Sequence, residues 1–343
     1  MTRTPSLRAK MINEGTWAAN KNHFKKTRVL ATGNSTVSDY YDDMYLININ
    51  LGTPPQTIVV MPSTGSAHLW VYTCNDNYKQ NCFNSSQSST LNATRSGNYV
   101  RDVFSVAGLT YKTQEFDLTI PNSFSQIGGI LGLGWPGIAT GNVTPPMQNL
   151  LPQLDKPLFS VWFDRKVKIS QGGSGGLITF GAIDSQNCDS NINYVKLSSL
   201  TYWQFSVSSV QVGSYTNNKP VQAISDTGTS WIGASSADVN AIIKAINAQY
   251  DAVNQLYYVS CTQTGLPDWV FTIGGKQYNI PSAEYVIDLE LGNGNCAVTI
   301  FEFDFGGFGP SWILGDTFIR TYCNFYDIGN QQIGFSKAHH TEV

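Results

Sequence analysis

Several features that define other classes of protein are missing from this sequence. Its six cysteines form no Cys-x-x-Cys pair and its four histidines form no cluster, so neither a metal site nor a cofactor is expected. No apolar run is long enough to cross a membrane, and no membrane span is expected. The first residues lack the apolar core of about 7 to 15 residues that marks a signal peptide, so none is expected.

Charged residues are also few, at 13% of 343 residues, and the abundance of Gly, Ser, Thr and Tyr favours strands and turns. The charge is unevenly spread, because residues 1–30 contain seven basic residues and one acid, which gives +6 against −9 in the remainder. Basic arms can bind nucleic acid or anionic membrane, but nothing else in the sequence supports either partner. A leader that folds over an acidic body is the favoured explanation, and no nucleic acid partner is expected.

The chain is long enough for two cores. Strands are predicted at residues 45–50 and 57–61, on either side of a Gly-Thr-Pro-Pro turn. Helices are predicted at residues 237–250, with Ser235 and Asp238 as a capping pair, and at residues 146–151. Glycine-rich stretches at residues 172–176 and 306–307 lack the lysine and helix of a phosphate-binding loop, so tight hairpin turns are predicted there.

One short motif occurs twice, intact in the second half and altered in the first. Residues 224–230 read Ile-Ser-Asp-Thr-Gly-Thr-Ser, with the aspartate at position 226. Residues 61–67 read Met-Pro-Ser-Thr-Gly-Ser-Ala, with Ser63 where the aspartate belongs. Each copy is followed by an Ile-Leu-Gly, at residues 130–132 and 313–315. The sequence therefore contains an internal duplication, in which only one of the two copies keeps the Asp-Thr-Gly loop.

These motifs resemble those of the pepsin and cathepsin-D type aspartic proteases, and are most like the nematode intestinal and lysosomal members. The resemblance extends from about Ser6 to Lys337 and includes the motifs at residues 52–56, 69–71, 129–134, 202–204 and 312–316. It implies a mostly β, two-lobed pepsin-like fold, with one lobe at residues 31–187, the other at 188–343 and a cleft between them. Residues 1–30 resemble the family's pro-segment, which covers the cleft and is removed in acid.

The resemblance also implies the site residues. Asp226 is the retained catalytic carboxyl, and Ser63 occupies the position of the lost one. The remaining cleft residues that it implies are Gly65, Ser66, Tyr202, Gly228, Thr229 and Ile313. The implied partners are a peptide or protein ligand in the cleft and the chain's own pro-segment, and a monomer is expected.

Disulfides are implied as well. Cys74 with Cys82 and Cys261 with Cys296 match the family's small loop bridges. Cys188 and Cys323 fall where the inter-lobe sheet runs, and a third bridge is inferred, although sequence alone leaves the connectivity open. A secreted or lysosomal location is implied, and the cysteines and the four Asn-x-Ser/Thr sequons at Asn34, Asn84, Asn92 and Asn142 agree with it.

The chain departs from the family at two places. A hydroxyl at Ser63 cannot act as a carboxylic acid in the acid–base chemistry that the paired carboxyls perform. The second departure is a length difference, because 89 positions separate Asp226 from Gly315 but only 69 separate Ser63 from Gly132. The stretch that is shorter by about 20 residues is where the family has its flap, a hairpin with a Tyr-Gly pair. Tyr99 is assigned instead to the strand beyond the flap.

A new role for Ser63 as a nucleophile would need a positioned base. The histidine nearest to it in sequence, His68, is interpreted as a surface or packing residue. Three functions stay open: a proteolytically inactive family member that binds peptides or a partner, a nonfunctional or mispredicted product of an active gene, and an acid endopeptidase with residual activity. The first is favoured.

Overall fold

The structure is a computed structural model that describes residues 35–40, 44–93, 98–120, 127–165, 171–306 and 309–340. The predicted pro-segment, residues 1–30, lies outside the described residues, as does the sequon at Asn34. In the part of the chain that is described, no helix has the length and apolar character needed to cross a membrane.

Strands dominate the described residues, as the composition predicts. The first-half strands are β1 (Ser35–Tyr40), β2 (Tyr45–Leu51), β3 (Gln56–Ser63), β4 (Leu69–Tyr72), β5 (Asn92–Ala93), β6 (Tyr99–Val106), β7 (Leu109–Thr119), β8 (Gly129–Gly132), β9 (Leu158–Phe163) and β10 (Gln171–Phe180). The remaining strands are β11 (Asn193–Lys196), β12 (Ser199–Leu200), β13 (Trp203–Val212), β14 (Tyr215–Asn217), β15 (Val221–Ser225), β16 (Ile232–Ala234), β17 (Gln249–Asp251), β18 (Leu256–Ser260), β19 (Trp269–Ile273), β20 (Lys276–Ile280), β21 (Val286–Ile287), β22 (Asn295–Val298), β23 (Ile300–Glu302), β24 (Trp312–Leu314), β25 (Tyr322–Asp327) and β26 (Gln332–Lys337).

The helices of the described residues are short. The α-helices are α1 (Pro146–Leu150), α2 (Ser236–Ala245), α3 (Ser282–Tyr285) and α4 (Asp316–Thr321). Single 3₁₀ turns occur at Ser85–Gln87, Pro136–Ile138, Thr140–Asn142 and Leu151–Gln153.

Three sheets organise these strands into two lobes. A 13-stranded sheet runs in the order β11-β26-β25-β9-β10-β1-β2-β3-β8-β4-β7-β6-β5, so its first six strands come from both halves of the chain. A nine-stranded sheet, β20-β19-β13-β15-β24-β16-β23 with β12 and β14 beside β13, and a four-stranded sheet, β17-β18-β22-β21, form the second lobe. The predicted mostly β, two-lobed architecture is confirmed. The lobe boundaries at residues 31, 187 and 188 stay predictions.

The duplication is visible in the strand pairing. β3 runs parallel to β8, which pairs antiparallel with β4. In the second half, β15 runs parallel to β24, which pairs antiparallel with β16. In each half, the motif's loop therefore follows a strand that pairs in parallel with the strand carrying the Ile-Leu-Gly motif of the same half.

Two glycines are required by this arrangement. Gly132 and Gly315, which end the two Ile-Leu-Gly motifs, lie directly against the backbone at the end of each motif copy. A Cβ at Gly132 would overlap the backbone of Ala67 and His68, and one at Gly315 would overlap the Thr229 carbonyl oxygen. Only glycine permits such a close approach of two backbones.

The predicted strands at residues 45–50 and 57–61 are present as β2 and β3, and the helix at residues 146–151 is present as α1. Helix α2 begins as predicted, because Ser235 caps it by accepting a hydrogen bond from the Asp238 amide at 3.2 Å. Its predicted end at residue 250 is wrong. The helix stops at Ala245, and residues 249–251 form β17, which pairs with β18.

The predicted hairpin turn at residues 172–176 is also wrong. These residues belong to β10, which pairs with β1 through a register shift that leaves Gly175 without a partner residue in β1, although its carbonyl accepts from the Asp164 amide at 2.8 Å. A Cβ at Gly176 would overlap the Trp162 carbonyl oxygen of the neighbouring strand β9. The glycines therefore serve a bulge and a close strand approach, which glycine permits as readily as a turn.

All three inferred disulfides are present. Cys74 bonds to Cys82, Cys261 to Cys296, and Cys188 to Cys323, which ties the start of the second half to β25. The last bridge is buried in a small apolar cluster with Trp162, Phe325 and Ala338.

Candidate active site

The two motif copies interlock through their threonines. We call residues 63–66 the serine loop and residues 226–229 the aspartate loop. The Thr64 amide donates to Thr227 Oγ1 and the Thr227 amide donates to Thr64 Oγ1, both at 3.1 Å. Thr64 Oγ1 donates to the Ser225 carbonyl at 2.8 Å, and Thr227 Oγ1 donates to the Pro62 carbonyl at 3.0 Å. These four bonds form two matching pairs, so a pseudo-twofold axis relates the loops.

In the aspartate loop, the loop itself holds the carboxylate of Asp226. The Gly228 amide donates to Oδ1 at 3.2 Å, and Thr229 Oγ1 donates to Oδ2 at 2.9 Å. Asp226 is fully buried at 0% exposure, so its carboxyl oxygens depend on such donors rather than on bulk water. The side chain is therefore fixed in a single orientation.

The serine loop repeats only half of this arrangement. The Gly65 amide donates to Ser63 Oγ at 3.1 Å, as Gly228 does to Asp226. The equivalent of Thr229 is Ser66, whose buried Oγ has no hydrogen-bond partner among the described residues. A serine at position 63 supplies one oxygen where an aspartate supplies two, which explains why Ser66 is left without an acceptor.

Substitutions at these two hydroxyls should therefore differ. Thr229→Val removes a hydrogen bond to a buried carboxylate, and we expect the free energy of unfolding to fall by about 1 to 3 kcal/mol. Ser66→Ala removes a hydroxyl that already lacks a partner, so a loss under about 0.5 kcal/mol, or a gain, is expected. Urea denaturation of both variants checks this, and equal losses would show that Ser66 is hydrogen-bonded after all.

A polar cluster supports the loops from below. Ser225 Oγ donates to Asn324 Oδ1 at 2.8 Å and lies 2.8 Å from the hydroxyl of Tyr326. Tyr326 is completely buried, and burial raises the pKa of its hydroxyl, so it stays protonated. Strand β25, near the end of the chain, thus supplies the polar side chains that contact the start of the aspartate loop.

The two halves also meet through tryptophans beside the loops. Trp203 Nε1 donates to the Leu133 carbonyl at 3.0 Å, and the rings of Trp135 and Trp203 lie 5.2 Å apart. Tyr202, the residue before β13, is half-buried, and its ring lies near that of Phe305 with 5.8 Å between the centroids and 51° between the planes. Ile313 is buried in β24, paired with Ile224. Contact of either Tyr202 or Ile313 with a ligand stays a prediction.

The side chain of His68 contacts Thr140 rather than the nearby serine loop. Its Nδ1 is 3.4 Å from Thr140 Oγ1, which is itself 3.4 Å from the Tyr99 hydroxyl, and no described hydrogen bond joins His68 to Ser63. Burial lowers the pKa of His68, and nearby Asp117 partly offsets this. Burial likewise raises the pKa of Asp117, with His68 opposing that shift. The contacts do not support His68 as a base for a Ser63 nucleophile.

The lowered pKa of His68 predicts a pH-dependent stability. Because the unfolded chain takes up this proton at higher pH than the folded protein does, His68 should reduce the free energy of unfolding as pH drops through about 6.5. Asp117 acts with the opposite sign, because its raised pKa lowers stability as pH rises above its ordinary value near 3.8. The difference in free energy of unfolding between His68→Asn and the unmodified protein should therefore be more favourable to the variant at about pH 5 than at about pH 7.5.

Thermal unfolding at the two pH values measures this difference. Asp117→Asn removes the attraction that favours the charged imidazole, so it should deepen the acid-side loss. If His68→Asn shifted stability equally at both pH values, the buried imidazole would not be the source.

Tyr99 is the first residue of β6, as predicted, and residues 94–97 between β5 and β6 lie outside the described residues. On either side of them, β5 and β6 pair antiparallel, Asn92 with Arg101 and Ala93 with Val100. Sequence reasoning missed Thr64 and Thr227 as the interlocking residues, although the middle threonine in both motif copies was a visible signal. It also missed Tyr326 and Asn324, for which no local signal exists.

Comparisons with known proteins agree with this geometry. The family model described as eukaryotic aspartyl protease matches residues 44–338. Aspartic protease 1 of Caenorhabditis elegans is 48% identical, over 98% of this chain and 93% of the relative, and aspartic protease 17 of the same organism is 43% identical, over 98% and 94%. Pepsin A of Rhinolophus ferrumequinum is 36% identical, over 88% and 82%.

Two β lobes joined by paired Thr-Gly loops, together with these similarities, define the class. The chain belongs to the pepsin-like eukaryotic aspartyl protease family.

Proposed function

We propose that this protein is an aspartic protease homologue that has lost peptide hydrolysis and retains a cleft that binds peptides. The observation that carries the proposal is the serine loop, in which Ser63 replaces the family's first catalytic carboxyl while the rest of the two-loop contact is kept. The family's chemistry needs two carboxyls that share one proton, so that the ionised carboxyl accepts a proton from water while the protonated one donates its proton to the peptide. Asp226 alone supplies one.

The absence of a flap is the second part of the proposal. The short connection between Ala93 and Val100 supports it, and so does the alignment with aspartic protease 1, which extends over 370 positions. That length exceeds the 343 residues of this chain, so the relative contains residues that this chain lacks. A lid that excludes water and positions substrate contributes to catalysis in many enzymes, and its loss would deepen the defect.

The location and the partners are also proposals. Three disulfides support folding in an oxidising, secretory compartment, as do the exposed sequon residues Asn92 and Asn142. We further propose a monomer with residues 1–30 as its pro-segment, supported by the opposite charges of the leader and the body.

Peptide binding tests the retained cleft. A fluorescein-labelled octapeptide of mixed apolar sequence should bind the protein at about pH 4 and remain intact, with binding read by anisotropy and integrity by mass spectrometry. Tyr202→Ala should weaken binding about tenfold, because interface aromatics commonly contribute more than about 1 kcal/mol. Tyr250→Ala is the matched control, since Tyr250 is 54% exposed on β17. Equal weakening by both variants, or cleavage of the peptide, would contradict the proposal.

The alternative of a nonfunctional or mispredicted gene product has its own test. Transcripts sequenced across codons 90 to 100 should match the present sequence. Transcripts that restore about 10 to 20 residues with a Tyr-Gly pair would make the missing flap an artefact, and would leave Ser63 as the sole defect.

A further inference from the structure

The aspartate loop shows how this fold holds a carboxyl group. One oxygen of Asp226 accepts from the Gly228 amide and the other from Thr229 Oγ1, at 3.2 and 2.9 Å. Because the threonine contacts relate the two loops by a pseudo-twofold axis, Gly65 and Ser66 are the corresponding donors of the serine loop. The fold therefore presents two copies of one carboxyl-holding arrangement.

The serine loop keeps those donors without keeping the carboxyl. Ser63 Oγ accepts a hydrogen bond from the Gly65 amide, and the buried Ser66 Oγ has no partner among the described residues. A serine side chain ends one atom beyond Cβ, whereas an aspartate carries a carboxyl carbon and two oxygens. A buried hydroxyl without a partner is unfavourable, so a ligand oxygen that accepts from it is favoured.

We infer that the serine loop binds the carboxyl group of a carboxylic acid, with one oxygen at Ser66 Oγ and one proton shared with Asp226. The ligand would stand in for the missing aspartate side chain. This inference rests on the proposed function, in that it gives the inactive centre a ligand. Two carboxyls in one buried site bind stably only with a proton between them, because two adjacent negative charges repel each other.

The shared proton makes the binding dependent on pH. Complex formation takes up one proton once both separate carboxyls are ionised, so the affinity should fall about tenfold for each further pH unit. Size also matters, because Ser63 and Asp226 are both fully buried. Formate is the smallest carboxylic acid and is therefore the probe.

The experiment is transverse relaxation of ¹³C-formate with the full chain at about pH 4 and about pH 7. We expect strong broadening in acid and little at neutral pH. Ser63→Asp should reduce the acid broadening at least tenfold, because its own carboxyl takes the position, and Ser66→Ala should reduce it severalfold. Broadening that is unchanged in Ser63→Asp, or equal at the two pH values, would overturn the inference. Matching unfolding transitions confirm that the variants fold.

A second arm identifies the source of the carboxyl group. Two peptides that differ only as Glu and Gln at one position compete with ¹³C-formate for the unmodified protein. Displacement by the Glu peptide alone shows that a peptide side chain occupies the site, and no displacement by either shows that the site takes free acids. Equal displacement by both would overturn a carboxyl-specific site. Cleavage of the peptides would contradict the proposed function, whereas acid-dependent binding of formate would still support the carboxyl site.

Discussion

Purified protein brought to about pH 3.5, between the two apparent pKa values typical of an aspartyl dyad, is expected to cleave no peptide substrate above background. General acid–base catalysis contributes about 10² to 10⁴ in rate, and the serine loop lacks the group that shares this role with Asp226. A broad-specificity fluorogenic peptide, with an active pepsin assayed alongside, gives the measurement. Pepstatin-sensitive cleavage that Asp226→Ala abolishes would show that one carboxyl suffices.

Repair variants separate the two defects. Ser63→Asp alone should stay at least about 10²-fold below the active pepsin, because the repaired pair would work in an open cleft without a lid to position substrate. A combined variant with Ser63→Asp and a Tyr-Gly hairpin inserted within residues 94–97 should recover most of the rate. Full recovery by Ser63→Asp alone would show that the short connection between β5 and β6 costs nothing.

Removal of the Cys188–Cys323 disulfide is expected to be the largest loss of stability from a single bridge. The bond closes a loop with a sequence separation of 135, and the loop-closure entropy of the unfolded chain then predicts a cost of about 5 kcal/mol. The double variant Cys188→Ala, Cys323→Ala is suitable because both cysteines are buried among apolar side chains. Guanidinium denaturation under oxidising conditions measures the change.

The matched control is the Cys74–Cys82 bridge, which has a sequence separation of only eight. The same entropy argument predicts about 2.5 kcal/mol for its double alanine variant. A larger loss from this short bridge than from the long one would mean that local packing, rather than chain entropy, sets the contribution of each disulfide.

Features carried by a contiguous motif could be predicted from the sequence. The duplicated loops, the strand before each of them, the cap of α2 and all three disulfides are present in the structure. The apolar residues Val239 and Ile242 of α2 and its C-cap residue Ile246 are buried, as suits a helix that packs against the core. These features depend on neighbours in sequence or on a family pattern that spans the chain.

Features that depend on distant partners could not be predicted. Tyr326 reaches Ser225 from 101 positions away, and the charge of Asp117 acts on the pKa of His68 from a different strand, with no sequence pattern to mark either interaction. The predicted helix extends past the true end of α2, because residues 249–251 instead form a strand that pairs with β18. Glycines are typical of turns and of bulges, so the glycines at residues 172–176 do not by themselves distinguish the predicted turn from the observed bulged strand.

The reciprocal threonine contact has an evolutionary consequence. The four hydrogen bonds that interlock the two loops are made by Thr64 and Thr227, with each other and with the carbonyls of Pro62 and Ser225, and none of these four uses the side chain of Ser63 or Asp226. Selection for a foldable chain and selection for catalysis therefore act on adjacent but different positions. A lineage can replace the reactive group in one half and still inherit an intact join, so that a duplicated gene of this architecture is free to diverge in chemistry without first losing its shape.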